Sequence, residues 1–155
     1  MKRYAGLIFV CLVFLSLGIL RINDLSLYTP DSVRYLIWGN SLAHGKGFVD
    51  ATQPDPDRYV VHAPFVSVLL APVELVLPLS IVAAKLWIVL FGVISLLVLF
   101  RWLERLWGRR AAFVGTCLFA FNPLTLIYST EILSEIPFVA CMLSVFFLCE
   151  PEKSG

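Results

Sequence analysis

The sequence predicts an all-α integral membrane protein, a polytopic helical bundle with amphipathic juxtamembrane helices in its first extracytoplasmic loop. Three observations predict it. Hydrophobic residues make up 59% of the 155, charged residues only 15%, and mean hydropathy is +0.87, whereas a soluble domain carries about 25% charge. Apolar runs of bilayer-crossing length alternate with polar connectors. Basic and acidic residues segregate between those connectors in the way the positive-inside rule describes. The net charge of +1 offers no basic footprint for nucleic acid, and so apolar a chain is not a disordered one.

Lys2 and Arg3 precede the first apolar run, residues 4–20. It is long enough to span and longer than a signal-peptide core of about 7–15 residues, so a retained anchor is expected. Residues 21–63 form a polar loop holding Asp24, Asp31, Arg34, Lys46, Asp50, Asp55, Asp57 and Arg58. Structureless loops beyond about 12–15 residues are uncommon, and part of this one reads as helix. Pro30 can start it, Asp31 or Thr29 can cap it, and Gly45 and Gly47 can end it. Val33, Leu36 and Ile37 recur at helical spacing, with Tyr35 and Trp38 suited to a membrane interface. Residues 31–44 are therefore expected to form an amphipathic helix on the membrane surface.

Residues 64–79 are apolar but contain Pro72, Glu74 and Pro78. At 1.5 Å per residue they reach roughly 24 Å, short of the ~30 Å hydrocarbon core. Further spans are expected at 81–100, 111–127 and 136–149. A basic, Trp-flanked connector (101–110) and a short polar stretch (128–135) separate them. The N-terminal Lys2 and Arg3 orient that end to the cytoplasm, which leaves the 21–63 loop outside. Arg101, Arg105, Arg109 and Arg110 place their connector inside. One crossing then suffices between residues 63 and 101, so residues 64–79 are expected to be juxtamembrane or re-entrant. The result is about four crossings; a bacterial-type plasma membrane is the expected location, with the outer side being periplasm, cell exterior or lumen. Cys11, Cys117, Cys141 and Cys149 sit in apolar runs without a C-x-x-C, which points to neither disulfides nor zinc.

Few residues carry chemistry. Asp31, just after the first span, can deprotonate a hydroxyl or hold a divalent cation; its bland alternative is a helix cap. Glu131 and Glu135 would share a helix face, and carboxylates near a membrane core are functional candidates. Against this, Ser134 can cap the last helix with Glu135 in its first turn, and Glu131 can simply be solvated. Arg34, Arg58 and Lys85 can each hold a phosphate. Lys85, within an apolar helix, must snorkel or pair. His62 and Tyr59 can line the same pocket. No P-loop, G-x-G-x-x-G, H-E-x-x-H or G-x-S-x-G is present.

The order of these pieces resembles the GT-C membrane glycosyltransferases that use polyprenyl-phosphate sugars, including protein O-mannosyltransferases and lipid A aminoarabinose transferases. Asp31-Ser32-Val33-Arg34-Tyr35 through His44-Gly45-Lys46-Gly47-Phe48 looks like the family's acidic first-loop motif and following helix. His62-Ala63-Pro64-Phe65 looks like its juxtamembrane start. Arg105-Leu106-Trp107-Gly108-Arg109-Arg110 looks like its basic cytoplasmic turn. Asn122-Pro123-Leu124 through Ser134-Glu135-Ile136-Pro137 looks like its fourth block. Two positions depart from the pattern: Asp31 is followed by Ser32 in place of a second acid, and Ala63 stands where the family has proline.

The resemblance implies an inverting transfer of a sugar from a polyprenyl-phosphate donor to an acceptor hydroxyl on a lipid, glycan or protein. Asp31 would be the base, or the ligand of any divalent cation. Glu135, His62 and Tyr59 would line the acceptor cavity, and Lys85, Arg58 and Arg34 would hold the donor phosphate. Family members have about eight to thirteen spans, so the resemblance also implies the N-terminal part of a longer enzyme, inactive alone. The alternative is a small non-enzymatic polytopic membrane protein or a transporter fragment. A transporter should place ionisable residues near mid-membrane, whereas the acids here cluster at one interface.

Overall fold

The computed structural model describes residues 4–24, 30–50 and 64–150. Six helices and no strand occur among the described residues: α1 (Ala5–Arg21), α2 (Pro30–Ala43), α3 (Phe65–Val76), α4 (Ile81–Ala120), α5 (Pro123–Ser129) and α6 (Glu135–Cys149).

Helix α4 is long and apolar enough to cross a membrane, and only 39% of its most apolar window is buried. The core helix of a soluble protein would be mostly buried. Here Val82, Leu86, Leu90, Ile94 and Leu97 form an exposed apolar stripe at three- and four-residue spacing. The opposite face, with Ala84, Ile88, Val89, Leu96 and Phe100, is buried. Exposed Phe9, Leu12 and Leu20 on α1, and Phe138, Val145 and Leu148 on α6, extend the apolar exterior.

The forty residues of α4 are not one rod. A straight helix of that length would separate residues 103 and 115 by about 18 Å. Instead, a Cβ on Gly115 would lie 2.6 Å from Leu103 Cδ1. Phe100, Leu103 and Ala112 also share one buried cluster with Leu7. The chain folds back at Gly108, whose φ of 80° and ψ of 172° interrupt the helix. An L side chain there is strained, and glycine is the residue that adopts it. The expected connector at 101–110 is thus helical through Trp107, because only Gly108 breaks the pattern. The continuous run expected at 111–127 is also interrupted. Asn122 Oδ1 accepts from the Leu124 amide (2.9 Å) and Pro123 takes the first helical position, starting α5 as a separate turn.

Helix α1 packs along the first arm of α4 through two close approaches. A Cβ on Gly18 would meet Val89 at 2.9 Å, and one on Gly92 would meet the Phe14 ring at 2.7 Å. The molecule therefore has two ends. At one, Arg101 Nη1 donates to Tyr4 Oη (2.8 Å), Trp102 stacks on Phe146, and Arg105 Nη1 donates to the Phe147 carbonyl (3.1 Å). At the other, α2 and α3 pack together beneath the start of α4. Tyr35, Leu36, Trp38, Val66, Leu70, Ala84 and Ile132 form their common core. Trp87 Nε1 donates to the Leu69 carbonyl (2.8 Å), tying α3 to α4.

Candidate functional site

The second end holds Asp31, Glu74, Glu131 and Glu135. Asp31 lies in the first turn of α2, half-buried beside the buried Ser32. Tyr35 follows one turn later and is almost fully enclosed. Its hydroxyl shares a hydrogen bond with the Ser134 side chain, in the loop between α5 and α6. Burial raises the Tyr35 pKa above the usual phenol value, and the nearby charges of Asp31 and Glu135 raise it further, while the Ser134 bond opposes them. Two acids from distant parts of the sequence, Asp31 and Glu135, thus both lie near enough to one phenol for their charge to act on it. Glu135 is exposed at the first position of α6.

The capping role expected for Ser134 is not what its hydroxyl performs. Ser134 has helical φ and ψ of −81° and −19° and makes no side-chain cap bond. A capping hydroxyl accepts from the second or third helical amide. The third position of α6 is Pro137, which has no N–H. The hydroxyl is left available for Tyr35.

Lys85 sits behind this group, 2% exposed. Its ammonium donates to Asn23 Oδ1 at the exit of α1 (3.1 Å) and lies 3.6 Å from Glu131 Oε2. The solvated alternative for Glu131 therefore gives way to a paired carboxylate with 16% exposure. A phosphate on Lys85 would have to compete with Glu131 for the same ammonium. Arg34 stands on α2, half-buried and one turn from Asp31. Arg58, Tyr59 and His62 lie outside the described residues.

A second polar group lies between α2 and α3. Asn40 Oδ1, Ser41 Oγ, Ser67 Oγ and Glu74 Oε1 are buried without hydrogen-bond partners. Glu74 Oε2 accepts from the Leu79 amide (2.6 Å) in the turn after α3. Burial holds the Glu74 pKa above the ordinary carboxylate value. The Leu79 amide and the nearby His44 act in the opposite direction. Glu74 was visible in the sequence only as an interruption of an apolar segment. Among the described residues, no three His, Cys, Asp or Glu side chains assemble as a metal site.

No protein-family model, curated protein or solved structure matches this chain.

Proposed function

We propose that this chain belongs to a membrane glycosyltransferase that moves a sugar from a polyprenyl-phosphate donor to an acceptor hydroxyl on the extracytoplasmic face. The observation that carries the reading is that Asp31 and Glu135 both lie near Tyr35, at the end of the molecule away from the arginine-rich Gly108 turn. That charge separation also supports a multi-pass arrangement with the N-terminus in the cytoplasm.

In this reading Asp31 takes the proton of the acceptor hydroxyl as its oxygen attacks the anomeric carbon. The bond from that carbon to the phosphate oxygen breaks, and the polyprenyl phosphate leaves with the electron pair. Phosphate is a good leaving group, so one base suffices for a single inverting displacement. Tyr35, protonated and hydrogen-bonded to Ser134, is a neutral neighbour to both Asp31 and Glu135. Exposed Glu135 meets the incoming acceptor, and Arg34, one turn from Asp31, meets the donor phosphate.

The test is transfer of radiolabelled sugar from polyprenyl-phosphate donors to lipid, glycan and peptide acceptors, by the gene's full product in native membranes. Asp31→Asn should reduce transfer by about 10²–10⁴-fold with the melting temperature unchanged. An Asp31→Asn protein as active as the parent would remove Asp31 from the chemistry. Failure of the parent to use any donor would favour the non-enzymatic membrane protein.

A further inference from the structure

The arginines at the Gly108 end divide into two pairs. Arg101 is held by Tyr4 Oη and by Glu104 at 3.6 Å, and Arg105 by the Phe147 carbonyl and ring. Arg109 and Arg110 are exposed, and among the described residues no carboxylate lies within ion-pair distance of either. The Arg109 guanidinium only skirts the Tyr4 ring at 5.7 Å. Both line a cavity of about 440 Å³ whose other walls are Gly6, Leu7, Phe100, Phe113 and Val114. Phe113 and Val114 are shared with a second hollow of about 340 Å³ that continues past Cys117 and Leu118 to Phe121.

The two hollows adjoin at Phe113 and Val114, which sets two guanidinium groups beside an apolar groove wall along the second arm of α4. That arm, residues 109–120, is about 18 Å long, close to half of the ~30 Å hydrocarbon core. A single lipid tail in one leaflet has this reach. We propose that the groove binds an anionic phospholipid, its phosphate on Arg109 and Arg110 and one acyl chain laid along Phe113, Val114, Leu118 and Phe121. Charge selects the occupant: a zwitterionic lipid would bring a cation to two unpaired guanidiniums, and a bare anion would leave the apolar wall in contact with water. The inference rests on the membrane reading of the chain and is independent of the transferase reading.

Native mass spectrometry of the full-length protein, released from nanodiscs of equimolar phosphatidylglycerol and phosphatidylcholine, tests it. The parent should retain phosphatidylglycerol with at least a tenfold preference, on the order expected from two surface arginines. Arg109→Gln with Arg110→Gln should abolish the preference, whereas Arg101→Gln should keep it. Val114→Trp, which fills the groove without changing charge, should lower retention of phosphatidylglycerol. Equal retention of both lipids by the parent would overturn the proposal. So would an unchanged preference in the double variant, or displacement of the lipid by millimolar inorganic phosphate. Retention of no lipid at all would count against the membrane reading itself.

Discussion

Lys85 Nζ lies 3.6 Å from Glu131 Oε2, and the same ammonium donates to Asn23 Oδ1. One side chain thereby joins the exit of α1, the start of α4 and the loop between α5 and α6. Removing one member of a buried pair leaves an uncompensated charge and costs about 3–5 kcal/mol. Lys85→Met and Glu131→Gln should each lower the melting temperature in detergent. The double variant should be more stable than the sum of the single losses implies. Strict additivity in the double-mutant cycle would show that the two groups do not interact.

Glu74 should make stability depend on pH. Its folded pKa is raised above the ordinary value of 4.5, so the folded state holds the proton more tightly than the unfolded chain does. Its contribution is complete below 4.5 and is lost as pH rises through the raised value. Glu74→Gln, which can still accept from the Leu79 amide, should flatten that decline. Melting curves between pH 4 and pH 8 would reveal it, and parallel curves for parent and variant would contradict it.

Two glycines should fail for different reasons. Gly108→Ala meets nothing within 4 Å, so its cost is backbone strain alone, about 1–3 kcal/mol. Gly92→Ala drives a methyl to 2.7 Å from the Phe14 ring, an overpacking cost of about 1–3 kcal/mol. Phe14→Leu should rescue Gly92→Ala and leave Gly108→Ala unchanged, as read from chemical denaturation.

Tyr35→Phe deletes the hydroxyl that meets Ser134, at a cost of about 1 kcal/mol. In the proposed enzyme it should reduce turnover more than it weakens donor binding, because Asp31 and Glu135 lose a polar neighbour. A change confined to donor KM would assign Tyr35 to binding instead.

Orientation is measurable with cysteines. In a background where the four native cysteines are serine, a cysteine at Asp24 should react with an impermeant maleimide in intact cells. A cysteine at Trp107 should react only after permeabilisation. The reverse pattern would invert the proposed topology and move the acidic site to the cytoplasmic face.

The helical, membrane-suited character of the chain was legible because apolar periodicity is a local property, and α4 carries it. The Asp31–Glu135 approach was legible only as two acids on one predicted side. Their common neighbour, Tyr35, looked like an interfacial aromatic. The Ser134 hydroxyl could have been read sooner, since Pro137 removes the amide that a cap would use. The partner of Lys85 was harder. The requirement that it pair is visible in one apolar helix, but Glu131 is remote in sequence and only the return of the chain through Gly108 and Asn122 selects it. Glu74 and the unpaired oxygens around it depend on how α2 meets α3, which no spacing rule encodes.

The ties of Lys85 also have an order in time. During synthesis Asn23 emerges before the lysine, and Glu131 emerges only after the whole α4 hairpin has left the ribosome. Until then the ammonium lacks the Glu131 carboxylate, and a buried charge without it is less well compensated. The start of α4 gains its contact with the loop between α5 and α6 only when that loop arrives. The lysine thus acts as a latch on assembly, closed by the latest-made part of the site.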